Sequence, residues 1–208
     1  MVAAPVGDDA DEASLFSDVS AAAFLTAVAL WLGALATYLI VAAVSRTGLN
    51  SMRPSWLLVV QRLLPGWAIS AVATVGLTII TANLLDLDAA KTAGVFGFSL
   101  LAGITFVAVN HALVAAFGGV GRFISIAMVV LTAAGSLMST VPTFFDAIRP
   151  LLPMAPAMEG LQAIAGGGSG AGGQFGMLLA WLAVALAGSV LAVARRRQTS
   201  ADDLLRGR

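Results

Sequence analysis

The chain has 208 residues, of which 59% are hydrophobic and 11% charged; soluble domains are nearer about half apolar and about a quarter charged. Eleven basic and eleven acidic side chains cancel, so nothing points to a nucleic-acid partner, and the absence of cysteine excludes disulfides, thiolate catalysis and cysteine-ligated metals. One histidine, His111, rules out a multi-histidine metal site within a single chain, and no cofactor is expected.

In chain order, residues 1–20 form an acidic leader carrying Asp8, Asp9, Asp11, Glu12 and Asp18. A signal peptide has a basic start and a short apolar core, and this leader has neither. Five stretches follow that are long and apolar enough to cross a bilayer as helices, at 21–44, 63–85, 92–117, 123–141 and 174–194. A charge at mid-bilayer costs about 2.5–3.5 kcal/mol on insertion scales, which makes charge-free runs of this length informative. The predicted fold is therefore all-α, a polytopic membrane protein with five transmembrane helices. The third stretch holds the polar intramembrane pair Asn110 and His111. Beside Gly118, Gly119 and Gly121, these read first as helix–helix hydrogen-bonding residues.

Between the first two spans, Pro54 opens a segment with helical pattern that carries Trp56 and is bounded by Arg53 and Arg62. Basic and aromatic residues next to an apolar run predict a helix lying at the inner interface, as an anchor or as a docking element. Between spans four and five, residues 142–165 are too apolar for a solvated loop and too broken by proline (Pro142, Pro150, Pro153, Pro156) for a span. Two short helices, at 143–149 and 157–164, fit as an outer re-entrant hairpin, with a cap lying flat on the surface as the alternative. Asp146 and Arg149 stand three apart, at the spacing of a pair on one helix face, and Glu159 lies on the second helix. Residues 166–173 read as a flexible glycine-rich tether, residues 195–208 as a basic tail, and Gln198 to Arg208 within it as polar and unstructured.

Basic residues set orientation. With the N-terminus outside the cytoplasm, nine arginines (46, 53, 62, 122, 195, 196, 197, 206 and 208) fall inside, and only Lys91 and Arg149 fall outside. The expected location is the cell membrane, with the C-terminus cytoplasmic. An acidic leader exported without an upstream signal is also the expectation for the downstream part of a longer polypeptide.

Enzymatic motifs are weak. Gly168, Gly170 and Gly173 form a nominal G-x-G-x-x-G without a preceding strand. Ser169 sits in a G-x-S-G, but the predicted topology places it roughly 28 Å from His111, where a nucleophile and its base must lie within about 3 Å. No P-loop is present. The chain reads as a non-enzyme.

Three stretches together resemble YhgE/Pip (phage infection protein) membrane proteins: Ala29-Leu-Trp-Leu-Gly-Ala-Leu-Ala-Thr-Tyr38, Thr105-Phe-Val-Ala-Val-Asn-His-Ala-Leu-Val-Ala-Ala-Phe-Gly-Gly-Val-Gly-Arg122, and Val141-Pro-Thr-Phe-Phe-Asp-Ala-Ile-Arg-Pro-Leu-Leu-Pro-Met-Ala-Pro-Ala-Met-Glu-Gly-Leu161. The family is grouped with the ABC-2 membrane domains of exporters. The resemblance implies one further span and an ectodomain upstream. It also implies a cytoplasmic coupling helix at Arg53, Trp56 and Arg62, and a re-entrant hairpin at 142–165. The partners it implies are membrane lipids, a separate ATPase, and a second copy or partner membrane subunit. The function expected from it is export of a lipid, envelope precursor or hydrophobic compound. The alternative is a non-transporting scaffold or receptor, such as a secretion accessory protein.

Overall fold

The computed structural model describes residues 18–41, 43, 54–137 and 152–205, the side chains of 136–137 and 197–205 excepted. Those residues form six helices: α1 (Val19–Ile40), α2 (Ser55–Leu84), α3 (Ala89–Phe117), α4 (Gly119–Leu137), α5 (Met154–Gly166) and α6 (Ala171–Leu205). Four of them, α1, α2, α3 and the part of α6 from Ala171 to Arg196, are long and apolar enough to cross a membrane. The apolar part of α4 is shorter, Gly119–Gly135.

Short-range chemistry sets the ends. Asp18 caps α1 by accepting from the Ser20 N–H, and Asp88 caps α3 by accepting from the Lys91 N–H at 2.8 Å. One residue, Gly118, joins α3 to α4, with φ +61°, where a side chain would be strained. A Cβ at Gly121 would meet the Leu113 carbonyl oxygen at 2.1 Å, so the tight reversal depends on both glycines.

α3 is the hub, packing against each of the other five helices. Leu30 against Gly103 and Trp31 against Phe106 set α1 parallel to α3. Ser70 against Gly103 and Gly66 against Val107 set α2 antiparallel to it. Ser125 beside Asn110 sets α4 antiparallel, and Ser189 beside His111 sets α6 parallel. Within a bilayer the hydrophobic effect does not drive helices together, so contact is made through small residues and buried hydrogen bonds. Large apolar side chains face outward on every long helix, among them Val72, Ile80, Phe123 and Val184.

The structure differs from the sequence expectations in four places. The segment begun by Pro54 does not form a separate interfacial helix; it is continuous with the second span through Pro65. A proline deletes one backbone bond, and neighbouring helices tolerate that loss in membrane proteins. The resulting 30-residue α2 is about 45 Å long, against a hydrocarbon core of about 30 Å. The glycine run is only partly a tether. Gly167 (φ +72°) and the bond from the Gly168 N–H to the Ala163 carbonyl close α5, and α6 already begins at Ala171. The basic tail is not unstructured, because α6 carries on past Arg195 and Arg196 to Leu205. The predicted 157–164 helix is longer, Met154–Gly166, while its partner at 143–149 lies outside the described residues.

Candidate functional site

Charge divides the bundle by its ends. Asp18, Asp86, Asp88 and Lys91 lie where α1 starts and α2 meets α3, and Arg62, Arg122, Arg195 and Arg196 lie at the opposite end. Between the ends, polar side chains join the helices in two networks toward the arginine end.

In the first, Trp31 on α1 donates from Nε1 to Ser125 Oγ at 3.1 Å, the Ser125 hydroxyl donates to Asn110 Oδ1, and Asn110 Nδ2 donates to the Phe106 carbonyl at 2.9 Å. In the second, His111 Nε2 faces the Ala43 carbonyl at 3.2 Å and Nδ1 faces Ser189 Oγ at 2.9 Å. A carbonyl only accepts, so Nε2 carries hydrogen, and in the neutral ring Nδ1 then accepts from Ser189. The Tyr38 ring stands edge-on to His111 at 5.4 Å, and its hydroxyl donates to the Arg62 carbonyl. Asn110 and His111 are both fully buried. Asn110 is bonded to Ser125 of α4, and His111 to Ser189 of α6.

Ser189 is a partner that sequence reasoning missed. Ser–His–carbonyl is the order of nucleophile, base and orienting group. Yet both side chains are 0% exposed, and Ser189 lies within the continuous helix α6, whose backbone N–H groups are engaged in the helix. There is neither space for a reacting carbonyl nor a free pair of donors for an oxyanion. The pair fastens α6 to α3. Ser169 belongs to the α5–α6 turn, about 30 Å along α6 from Ser189.

At the acidic end, α5 is wedged among α1, α3 and α6. Gly94 abuts Ile164 and Gly160 abuts the Phe98 ring, so α5 runs antiparallel to α3. Thirteen residues carry it about 20 Å inward, with Met154 near the level of the middle of α3. Leu152, Met154, Ala157 and Leu161 are buried, and Pro153 occupies the N-cap position without a side-chain cap bond. Glu159 accepts from Gln174 at 2.7 Å, tying α5 to α6.

The remaining expected site residues separate into two groups. Trp56 stands on the exposed side of α2, 58% exposed, and Arg62 lies on the same helix, half-buried. Arg53, Pro142, Asp146 and Arg149 lie outside the described residues. Among the described residues no group of acidic or histidine side chains is arranged to hold a metal ion. Comparison with known proteins found no matching family model, no matching curated protein and no matching solved structure.

Proposed function

We propose that the chain is the membrane (permease) domain of an ABC-2-like exporter of a lipid, envelope precursor or hydrophobic compound, energised by a separate ATPase. The observation that carries this reading is α5, a short, buried helix that enters the bundle from one end and stops near its middle. A helix that enters a bilayer without crossing it is tolerated only against protein or a wet cavity, and such half-helices mark the substrate region in several transporter folds. The other half of the outer re-entrant hairpin read from the sequence, at 142–151, lies outside the described residues. The fifth span of this reading is α4, whose described part ends at Leu137. The arginine end faces the cytoplasm, in keeping with the positive-inside rule.

On this reading the ATPase contact is the α2 extension. The hydrocarbon core accommodates about 20 of its 30 residues. The first ten, with Trp56 exposed and Arg62 at the membrane edge, therefore project beyond it as a rigid post. A helical post continuous with a span transmits force better than a hinged surface helix. The sequence resemblance to YhgE/Pip proteins agrees with this placement.

The test is the double substitution Arg53→Glu with Arg62→Glu. Membrane insertion should be retained, while co-purification of an ATPase in mild detergent and export should both be lost. A double variant that inserts and keeps the export phenotype sinks the exporter reading in favour of a non-transporting scaffold.

A further inference from the structure

The 29 residues of α3 make it about 44 Å long, close to the thickness of a bilayer with both headgroup layers, about 40–45 Å. For a bundle set in lipid, Asp88 at the start of α3 then lies in one headgroup layer and Gly118 at its end in the other. The one-residue turn at Gly118 carries Phe117, Val120 and Phe123, each more than half exposed. From Phe123 the exposed side of α4 goes on through Ile126 and Val130, an apolar track leading from the turn toward the middle of the bundle.

Two guanidinium groups are directed to the same turn. Arg196 of α6 brings Nη2 to 3.9 Å from the place a Gly118 Cβ would take. The levels agree, because Ser189 is bonded to His111, and Arg196 and Gly118 each lie seven residues further along these parallel helices. Arg122 belongs to the first turn of α4. A long side chain on a helix leans toward the helix N-terminus, here back toward Gly118. Its Nε is enclosed without a hydrogen-bond partner. The protein therefore holds the stem of Arg122 without meeting its charge there.

Nothing described at this end balances that charge. The carboxylates of Asp18, Asp86, Asp88 and Glu159 all stand toward the other end of the bundle. A partly enclosed cation needs an anion or ample water beside it, and the anion a headgroup layer supplies is phosphate. Gly118 and Gly119 leave the turn without side chains, and nothing lies within 4 Å of a Cβ placed at Gly119.

We propose that the α3–α4 turn, between Arg122 and Arg196, binds the headgroup of an anionic phospholipid of the phosphatidylglycerol type. The phosphate oxygens accept from the terminal nitrogens of the two guanidinium groups, whose planar forks suit a phosphate. The glycerol headgroup rests over Gly118 and Gly119, and an acyl chain follows Phe123, Ile126 and Val130. Charge selects the class, because a choline headgroup would add a third cation where two already stand and a glycerol headgroup adds none. The site uses neither Trp56 nor Arg62, so it is separate from the proposed ATPase contact and rests only on the bundle being embedded in lipid.

The test is lipid retention by the full chain, released from mild detergent with equal amounts of phosphatidylglycerol and phosphatidylcholine and weighed by native mass spectrometry. Phosphatidylglycerol should be retained in preference. A basic residue near an anionic surface is worth about five-fold in binding, so Arg122→Gln should cut the preference about five-fold and Arg122→Gln with Arg196→Gln should abolish it. Arg195→Gln removes the same charge from an exposed position on the same turn of α6 and should change it little. Inorganic phosphate at millimolar concentration should not displace the lipid. In nanodiscs, a phosphatidylglycerol with a photoactivatable headgroup should label the unsubstituted chain at residues 117–123 and not around Asp88, a readout that needs no variant to fold. Equal retention of the two lipids, an Arg195→Gln loss as large as that of Arg122→Gln, displacement by inorganic phosphate, or labelling spread evenly over both ends would each overturn the proposal. Each of these outcomes leaves the ATPase test untouched, and a failed ATPase test leaves lipid retention intact.

Discussion

At the scale of single residues, the bundle is fastened by a few polar contacts and a few missing side chains. Ser125 is the middle of a relay, an acceptor for Trp31 and a donor to Asn110. Ser125→Ala leaves Trp31 the Ser125 carbonyl at 3.3 Å but strips Asn110 of a donor. The expected loss is about 0.6–1.7 kcal/mol, the range for interhelical hydrogen bonds in membrane proteins, read from unfolding by an ionic detergent. Gly160 is a harsher site. A Cβ there would stand 2.0 Å from the Phe98 ring, which α3 holds in place. Gly160→Val should destabilise by about 1–3 kcal/mol or more and loosen α5 first, seen as faster amide exchange in α5 than in α3.

At the scale of elements, α5 and the turn after it should behave oppositely. The α5 amides are bonded and buried, whereas residues 167–170 lie outside any helix, so hydrogen exchange should be slow over the former and fast over the latter. Equal rates would place α5 on the surface. The long helices were legible in the sequence because charge-free runs admit little else, and Pro54 and Asp88 sit where helix-start chemistry puts them. The continuity of α2 was not legible, because the pattern around Pro65 reads equally as a break or a tolerated proline. Nor was the length of α6, since Gln198 to Leu205 are polar but contain no glycine or proline to stop a helix. His111 was legible as a buried polar residue. Its partners were not, because Ser189 lies 78 residues away and nothing local marks it. The buried hydroxyls of α2, at Ser70, Thr74, Thr78 and Thr81, stand at helical spacing in the sequence, but a helix that is apolar as a whole hides which of its sides is polar.

At the scale of the whole molecule, opposite charges at opposite ends give a topology that labelling checks without removing any native cysteine. Asp88→Cys should react with an impermeant maleimide in intact cells, and Arg122→Cys only after lysis. External labelling at Arg122 would invert the proposed orientation. The position of α3 has a further consequence, in the order of biosynthesis. α3 is made third among the helices, yet its polar groups are completed by α4 and α6, which leave the ribosome later. Until α6 arrives, His111 faces no Ser189 and Glu159 no Gln174. A chain arrested before residue 171 would therefore leave His111 Nδ1 without the Ser189 hydroxyl and uncover the side of α3 against which α6 packs. Such a fragment should be short-lived, cleared by membrane proteases that recognise misplaced polarity, so that the last helix acts as a seal on completed synthesis.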